Sequence, residues 1–111
     1  MPIKNGMYKV FFKTALGEGA GVIITEDGTI RGGDSAFYYL GSYHQYAGHI
    51  EAQVTGKRHS PGLPSVFGPN QASITLTGQS QGDEAHYDFK GSSPEAPGVI
   101  ISALLTKLAD Y

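Results

Sequence analysis

Gly33-Asp34-Ser35, with Asp83-Glu84-Ala85-His86 far downstream, supplies the residue types that a serine hydrolase uses: a hydroxyl nucleophile, an imidazole base and an orienting carboxylate. Such a set works only on a scaffold that holds its members within hydrogen-bond reach, and both segments here sit at turns between strand-like runs. The reading for Asp34 is therefore structural: a short carboxylate at a turn accepts backbone N–H bonds where the chain enters the next strand. Four histidines, at 44, 49, 59 and 86, offer imidazole ligands, but none has a partner at a recognised metal-ligand spacing. His49 and His86 fall on outward positions of strand-like alternation, and no metal site is expected.

Two glycine-rich segments resemble phosphate cradles only superficially. In Gly17-Glu18-Gly19-Ala20-Gly21 the third glycine is misplaced for a dinucleotide fingerprint, and a strand rather than a helix N-terminus follows. Gly56-Lys57-Arg58 lacks the hydroxyl residue that a Walker loop places after its lysine to hold magnesium. No nucleotide or other cofactor is called for, and the expectation is a protein that is not an enzyme.

The elements that would position any site are strands. Residues 1–111 are expected to form a single domain, because a chain of 111 residues buries roughly two-thirds of its unfolded surface and folds without staples. Cysteine is absent, which excludes disulfides and thiolate zinc sites. Eight basic and ten acidic residues leave a formal charge of −2 with no run of either sign, so neither nucleic acid nor an anionic membrane is an expected partner. Met1 to Gly6 lack the apolar core of a signal peptide, and the apolar run from Gly98 to Leu108 is too short and too polar to span a bilayer. A soluble, unprocessed, cytoplasmic protein is expected.

Period-two alternation recurs along most of the chain. In Met7 to Thr14 it places Tyr8, Val10 and Phe12 inside and Lys9, Phe11 and Lys13 outside; the outward Phe11 suggests a contact surface. Gly19 to Thr25 ends at Asp27-Gly28, a pair that supplies the positive φ angles of a two-residue hairpin, and the next strand starts at Thr29. Ala36 to His44 turns through Tyr46-Ala47-Gly48 into His49 to Thr55, with Ile50, Ala52 and Val54 inside. Ala72, Ile74 and Leu76, then Ala85, Tyr87 and Phe89, mark two further strands. Val99 to Leu108 fits a short helix or a strand, and the β-branched residues at its start, with Pro97-Gly98 before it, favour strand. About eight antiparallel strands in sequence order suggest an all-β, lipocalin-like, up-and-down barrel, whose closure leaves no exposed sheet edge.

Aromatic residues crowd one strand, with Tyr38 and Leu40 on one face and Phe37, Tyr39 and Tyr43 on the other. One set is covered by a partner or the other lines a pocket. The expectation places Phe37, Tyr39 and Tyr43 outside with Phe11 as a partner or dimer surface. Tyr38, Leu40, Ile50, Val54, Ile74 and Tyr87 are then the walls of an interior cavity suited to a small apolar ligand. Gly56 to Asn70 carries three prolines and no strand signal, and loops of that length are often functional or packed on themselves. His59, Leu63, Val66 and Phe67 are its candidates for covering the barrel mouth.

Taken in order, Asn5-Gly6-Met7-Tyr8, Gly17-Glu18-Gly19, Ile30-Arg31-Gly32-Gly33-Asp34-Ser35, Tyr39-Leu40-Gly41 and Leu63-Pro64-Ser65-Val66 resemble the GrlR-like family, whose best-known member is a negative regulator of a type III secretion locus in enteric pathogens. The resemblance implies a lipocalin-like barrel, a homodimer and action through contact with a protein partner. That family's regulator holds a DNA-binding activator through an acidic run after the strand that Tyr39 to Tyr43 resembles. His44-Gln45-Tyr46-Ala47-Gly48 stands there in this chain, with no acid, so the activator contact does not carry over. The expected function is a protein-interaction or regulatory module; the alternative is a carrier of a small apolar ligand.

Overall fold

Tight turns and alternating strands close on themselves. A computed structural model describes residues 3–15, 17–61, 71–80, 82, 85–94 and 97–110. Its strands are β1 (Gly6–Thr14), β2 (Gly17–Glu26), β3 (Thr29–Gly33), β4 (Phe37–Tyr46), β5 (His49–Arg58), β6 (Gln71–Ser80), β7 (His86–Ser92) and β8 (Ile101–Asp110). Each pairs antiparallel with its neighbours in sequence and β8 pairs with β1, which makes a closed eight-stranded up-and-down barrel. The shape is compatible with a lipocalin-like barrel. The ambiguous C-terminal run is strand β8, because its alternate residues Ile101, Ala103 and Leu105 enter the core while β1 and β7 satisfy its backbone on both sides.

Closure sorts the two ends of the barrel. One end gathers the start of β1, the β2–β3 and β4–β5 turns and the end of β8; the other gathers the β1–β2, β3–β4, β5–β6 and β7–β8 connections. Both short turns at the first end take left-handed backbone at their two central residues, Asp27 (φ 49°) with Gly28 (φ 86°) and Ala47 (φ 49°) with Gly48 (φ 81°). That geometry matches the twist of the flanking strands. The Asp27-Gly28 turn answers the sequence expectation. The second turn holds two residues, so Tyr46 belongs to β4 and pairs with His49.

That one residue corrects the face assignment of β4. Residues opposite each other in a ladder share a face, and moving the register by one flips the whole strand. Phe37 and Tyr39 are 6% and 4% exposed, whereas Tyr38 and Leu40 are 39% and 51% exposed. Tyr43 is half-buried and packs against the core. Phe37, Tyr39 and Tyr43 therefore point in, Tyr38 and Leu40 point out, and the expected partner surface and cavity wall exchange places. Phe11 is exposed, as expected.

Gly56 to Arg58 also departs from its expected loop. These residues continue β5, opposite Phe37 to Tyr39 of β4, and the Arg58 guanidinium lies 4.7 Å from the centre of the Phe37 ring. Leu63, Val66 and Phe67 lie outside the described residues. The glycine pair in β3 has a steric reason: a Cβ on Gly32 would overlap the backbone carbonyl of Val22, so β2 and β3 approach only because that atom is missing.

Candidate functional site

Inside, side chains from all eight strands converge. Tyr8 and Tyr87, both fully buried, meet edge to face at 5.9 Å, and Phe12 meets Tyr39 at 5.6 Å in the same manner. Between these pairs lies an apolar cavity of about 60 Å³, whose walls include Ile3, Phe12, Tyr39, Val54 and Ile74. Ile50 and Tyr87 are buried but lie outside that lining, and Tyr38 and Leu40 face away from it. Of the expected cavity set, only Val54 and Ile74 form the wall.

Ile3 is the wall residue that alternation missed. Segment Ile3 to Asn5 crosses the end of the barrel that holds the short turns, pinned by side chains from three strands and a turn. Ile3 N–H donates to Gln45 Oε1 (2.9 Å), and Tyr43 Oη donates to Ile3 O (3.3 Å). Lys4 O accepts from Tyr8 Oη (2.7 Å) and Thr25 Oγ1 (3.1 Å). Asn5 exchanges two hydrogen bonds with Asp27, at 3.1 and 3.0 Å. Only Ile3's apolar character gives it away in sequence, because no alternating partner precedes the strand.

At the opposite end, Asp34 organises the β3–β4 corner. Its Oδ1 accepts from the N–H groups of Ala36 (2.9 Å) and Phe37 (2.8 Å), and its Oδ2 accepts from Tyr39 Oη. Both carboxylate oxygens are thus committed, as the turn reading of Asp34 expects. Burial, reinforced by the Asp34 carboxylate, holds the Tyr39 phenol far above the ordinary tyrosine range; Tyr8 is raised chiefly by burial as well.

His59 ties the end of β5 to that corner. Its N–H donates to Ala36 O (2.8 Å), and its Nε2 lies 3.1 Å from Asp34 O. A carbonyl only accepts, so Nε2 carries the proton and Nδ1 accepts from Ser60 Oγ at 2.7 Å. A hydroxyl–imidazole pair results, but the group orienting the ring is a neutral carbonyl. The geometry fastens the start of the β5–β6 connection to the β3–β4 corner. Ser35 sits at this end and His86 at the other, so the hydrolase pairing is not assembled; Asp83 and Glu84 lie outside the described residues. His44 lies on the outer face, 3.4 Å from Glu51 Oε2 and stacked on Tyr46. Among the described residues no group of three or more His, Cys, Asp or Glu is placed to hold a metal, and no helix is long and apolar enough to cross a membrane.

The outer face of β8, β1, β2, β3 and β4 carries the remaining candidate. Cross-strand register lines up Ala109, Met7, Ile24, Arg31 and Leu40 in one row. The adjoining row runs Thr106, Lys9, Val22, Gly33 and Tyr38, and Phe11 opposite Leu104 lies beside it. Met7, Phe11, Val22, Ile24, Tyr38 and Leu40 are all exposed. Around the other half of the barrel the outward residues of β6 are Ser73, Thr75, Thr77 and Gln79, and β7 adds Asp88 and Lys90. The sequence signal for the apolar half is a run of adjacent apolar residues: Val10-Phe11-Phe12, Val22-Ile23-Ile24 and Phe37-Tyr38-Tyr39-Leu40. A strand with one solvated face needs apolar residues at alternate positions only, so each such run puts an apolar side chain in water.

No protein-family model matches the chain, and no curated protein matches it.

Proposed function

We infer that this barrel is a non-enzymatic protein-interaction module, acting through the outer face of β8 and β1 to β4. The observation that carries the reading is the contiguity of exposed Met7, Phe11, Val22, Ile24, Tyr38 and Leu40 across paired strands. Folding gains nothing from apolar side chains on the solvent side, and a contiguous patch of them marks an interaction surface. The interior favours this reading over small-ligand carriage. A cavity of about 60 Å³ is well below the ~300–1,000 Å³ of ordinary ligand sites.

The GrlR-like resemblance supports a regulatory role exercised by protein contact in the cytoplasm, without the acidic run that defines the known regulator's contact. Homodimerisation, which the resemblance also implies, would use the same face, because it is the apolar one.

Site-specific photocrosslinking tests the reading. A photoreactive residue at Leu40 should give protein adducts, a second copy included, while the same residue at Thr75 on the polar half should give few. Equal labelling at both positions, or none at Leu40, would overturn it.

A further inference from the structure

Resting on that reading, we propose that the outer face docks an amphipathic helix of a partner protein, with acidic residues flanking its apolar stripe. Three features of the surface select this occupant. The first is charge. The charged side chains within the two apolar rows are Lys9 and Arg31, with Lys57 bordering Tyr38 on β5. The acids of the same strands sit at the two ends of β2, as Glu18 and Glu26. None of Lys9, Arg31 and Lys57 forms an ion pair among the described residues. Their charge is therefore available to carboxylates that arrive with a partner, and cations inside an apolar contact need such carboxylates.

A second copy of the chain meets this requirement poorly. In a two-fold contact the same patch lies on both sides, so Lys9 and Arg31 would face only further Lys9 and Arg31. An anionic membrane needs a denser basic cluster, on the order of four to eight Lys or Arg, than these side chains provide.

The second feature is closure. Every strand is paired on both sides, so the barrel offers no free edge on which a partner could add a strand. Docking is then by side chains alone, onto a segment whose own backbone is already satisfied, as in a helix. The third is relief. Gly33 lies between Val22 and Tyr38 in its row, leaving a side-chain gap along β3 between the apolar residues of β2 and those of β4. Two strand spacings span about 10 Å, which is the diameter of a helix with its side chains. Val22 and Ile24 form one wall, Tyr38 and Leu40 the other, and Arg31 reaches a carboxylate at the helix flank.

Selection of a display library of helical peptides with randomised faces against the intact chain tests this, followed by calorimetry on the enriched peptides. Enriched sequences should carry apolar residues at i, i+3 or i+4 and i+7, flanked by Asp or Glu. Their affinity should fall about tenfold or more with Arg31→Glu, and Lys in place of the flanking acids should recover it in that variant. Failure to enrich any peptide, or peptides that bind wild type and Arg31→Glu alike, would overturn the proposal. So would phosphatidylserine vesicles binding through this face while peptides do not. Sedimentation velocity separates the two levels of argument. A homodimer dissociated by Leu40→Ser would sink the acidic helix and leave the interaction surface standing. A monomer that binds neither peptides nor vesicles would sink both.

Discussion

Strands β4 and β6 bury the same kind of side chain and expose opposite kinds. Inward, β4 presents Phe37 and Tyr39 and β6 presents Ile74; outward, β4 presents Tyr38 and Leu40 where β6 presents Ser73, Thr75 and Thr77. The inward sets are interchangeable in kind because one closed core makes the same demand on every strand. The outward sets differ because solvent makes no such demand, so an apolar outer half reflects a use other than folding. The contrast separates residues that hold the barrel from residues that act on its surroundings.

The sharpest way to break that contrast is at the corner that feeds β4. Asp34→Ala removes the acceptor of two backbone N–H groups and leaves the buried Tyr39 hydroxyl without its partner. Each loss has a known scale, and together they should lower stability by about 3 kcal/mol, measured by urea unfolding. Asp34→Asn, which keeps an acceptor for the backbone, should lose less. An Asp34→Ala protein as stable as wild type would mean that the corner is held by its strands alone.

Alkaline unfolding probes the inward side without mutation. Tyr8 and Tyr39 have folded pKa values raised above the ordinary tyrosine value, with burial the largest cause in each case. The folded state then keeps protons that the unfolded chain releases. The stabilisation is fully present below pH ~10 and is lost as pH rises from there through the folded values, at about 1.4 kcal/mol per pH unit for each tyrosine. Tyrosinate absorbance should accordingly rise together with unfolding for these two rings. Their free ionisation in a folded barrel would contradict the burial.

The smallest effect on stability is expected on the outward side. Leu40→Ser should change the free energy of unfolding by no more than ~0.5 kcal/mol, since Leu40 is half exposed and outside the core. Its effect should appear in binding instead. A large loss of stability in this variant would make Leu40 part of the fold and erase the distinction between the two sides.

Most of the barrel was legible in the chain. Tyr8, Val10 and Phe12, Ile50 and Ala52, and Tyr87 and Phe89 all read as inward from alternation, and Asp27-Gly28 read as a two-residue turn. β4 did not, because its residues Phe37 to Leu40 are apolar at both parities and alternation says nothing there. The missing information lay in the next turn. His49 reads as outward, and once Ala47-Gly48 is the whole loop, Tyr46 must share its face, as must Leu40 and Tyr38 by period two. Ala47 obscured this, because a β-carbon at φ 49° is unfavourable and hides the turn's type from composition.

Local chemistry in the sequence therefore determined strand number, antiparallel order, most inward faces and the turn role of Asp34, since alternation and turn propensity act over a few residues. Tertiary structure alone decided the rest. It closed β8 onto β1, carried Ile3 into the core, and placed Ser35 and His86 at opposite ends. It also aligned Met7, Ile24, Arg31 and Leu40 side by side on one outer face. Those residues are far apart along the chain, and only the register between strands, set cooperatively by a shared core, brings them together.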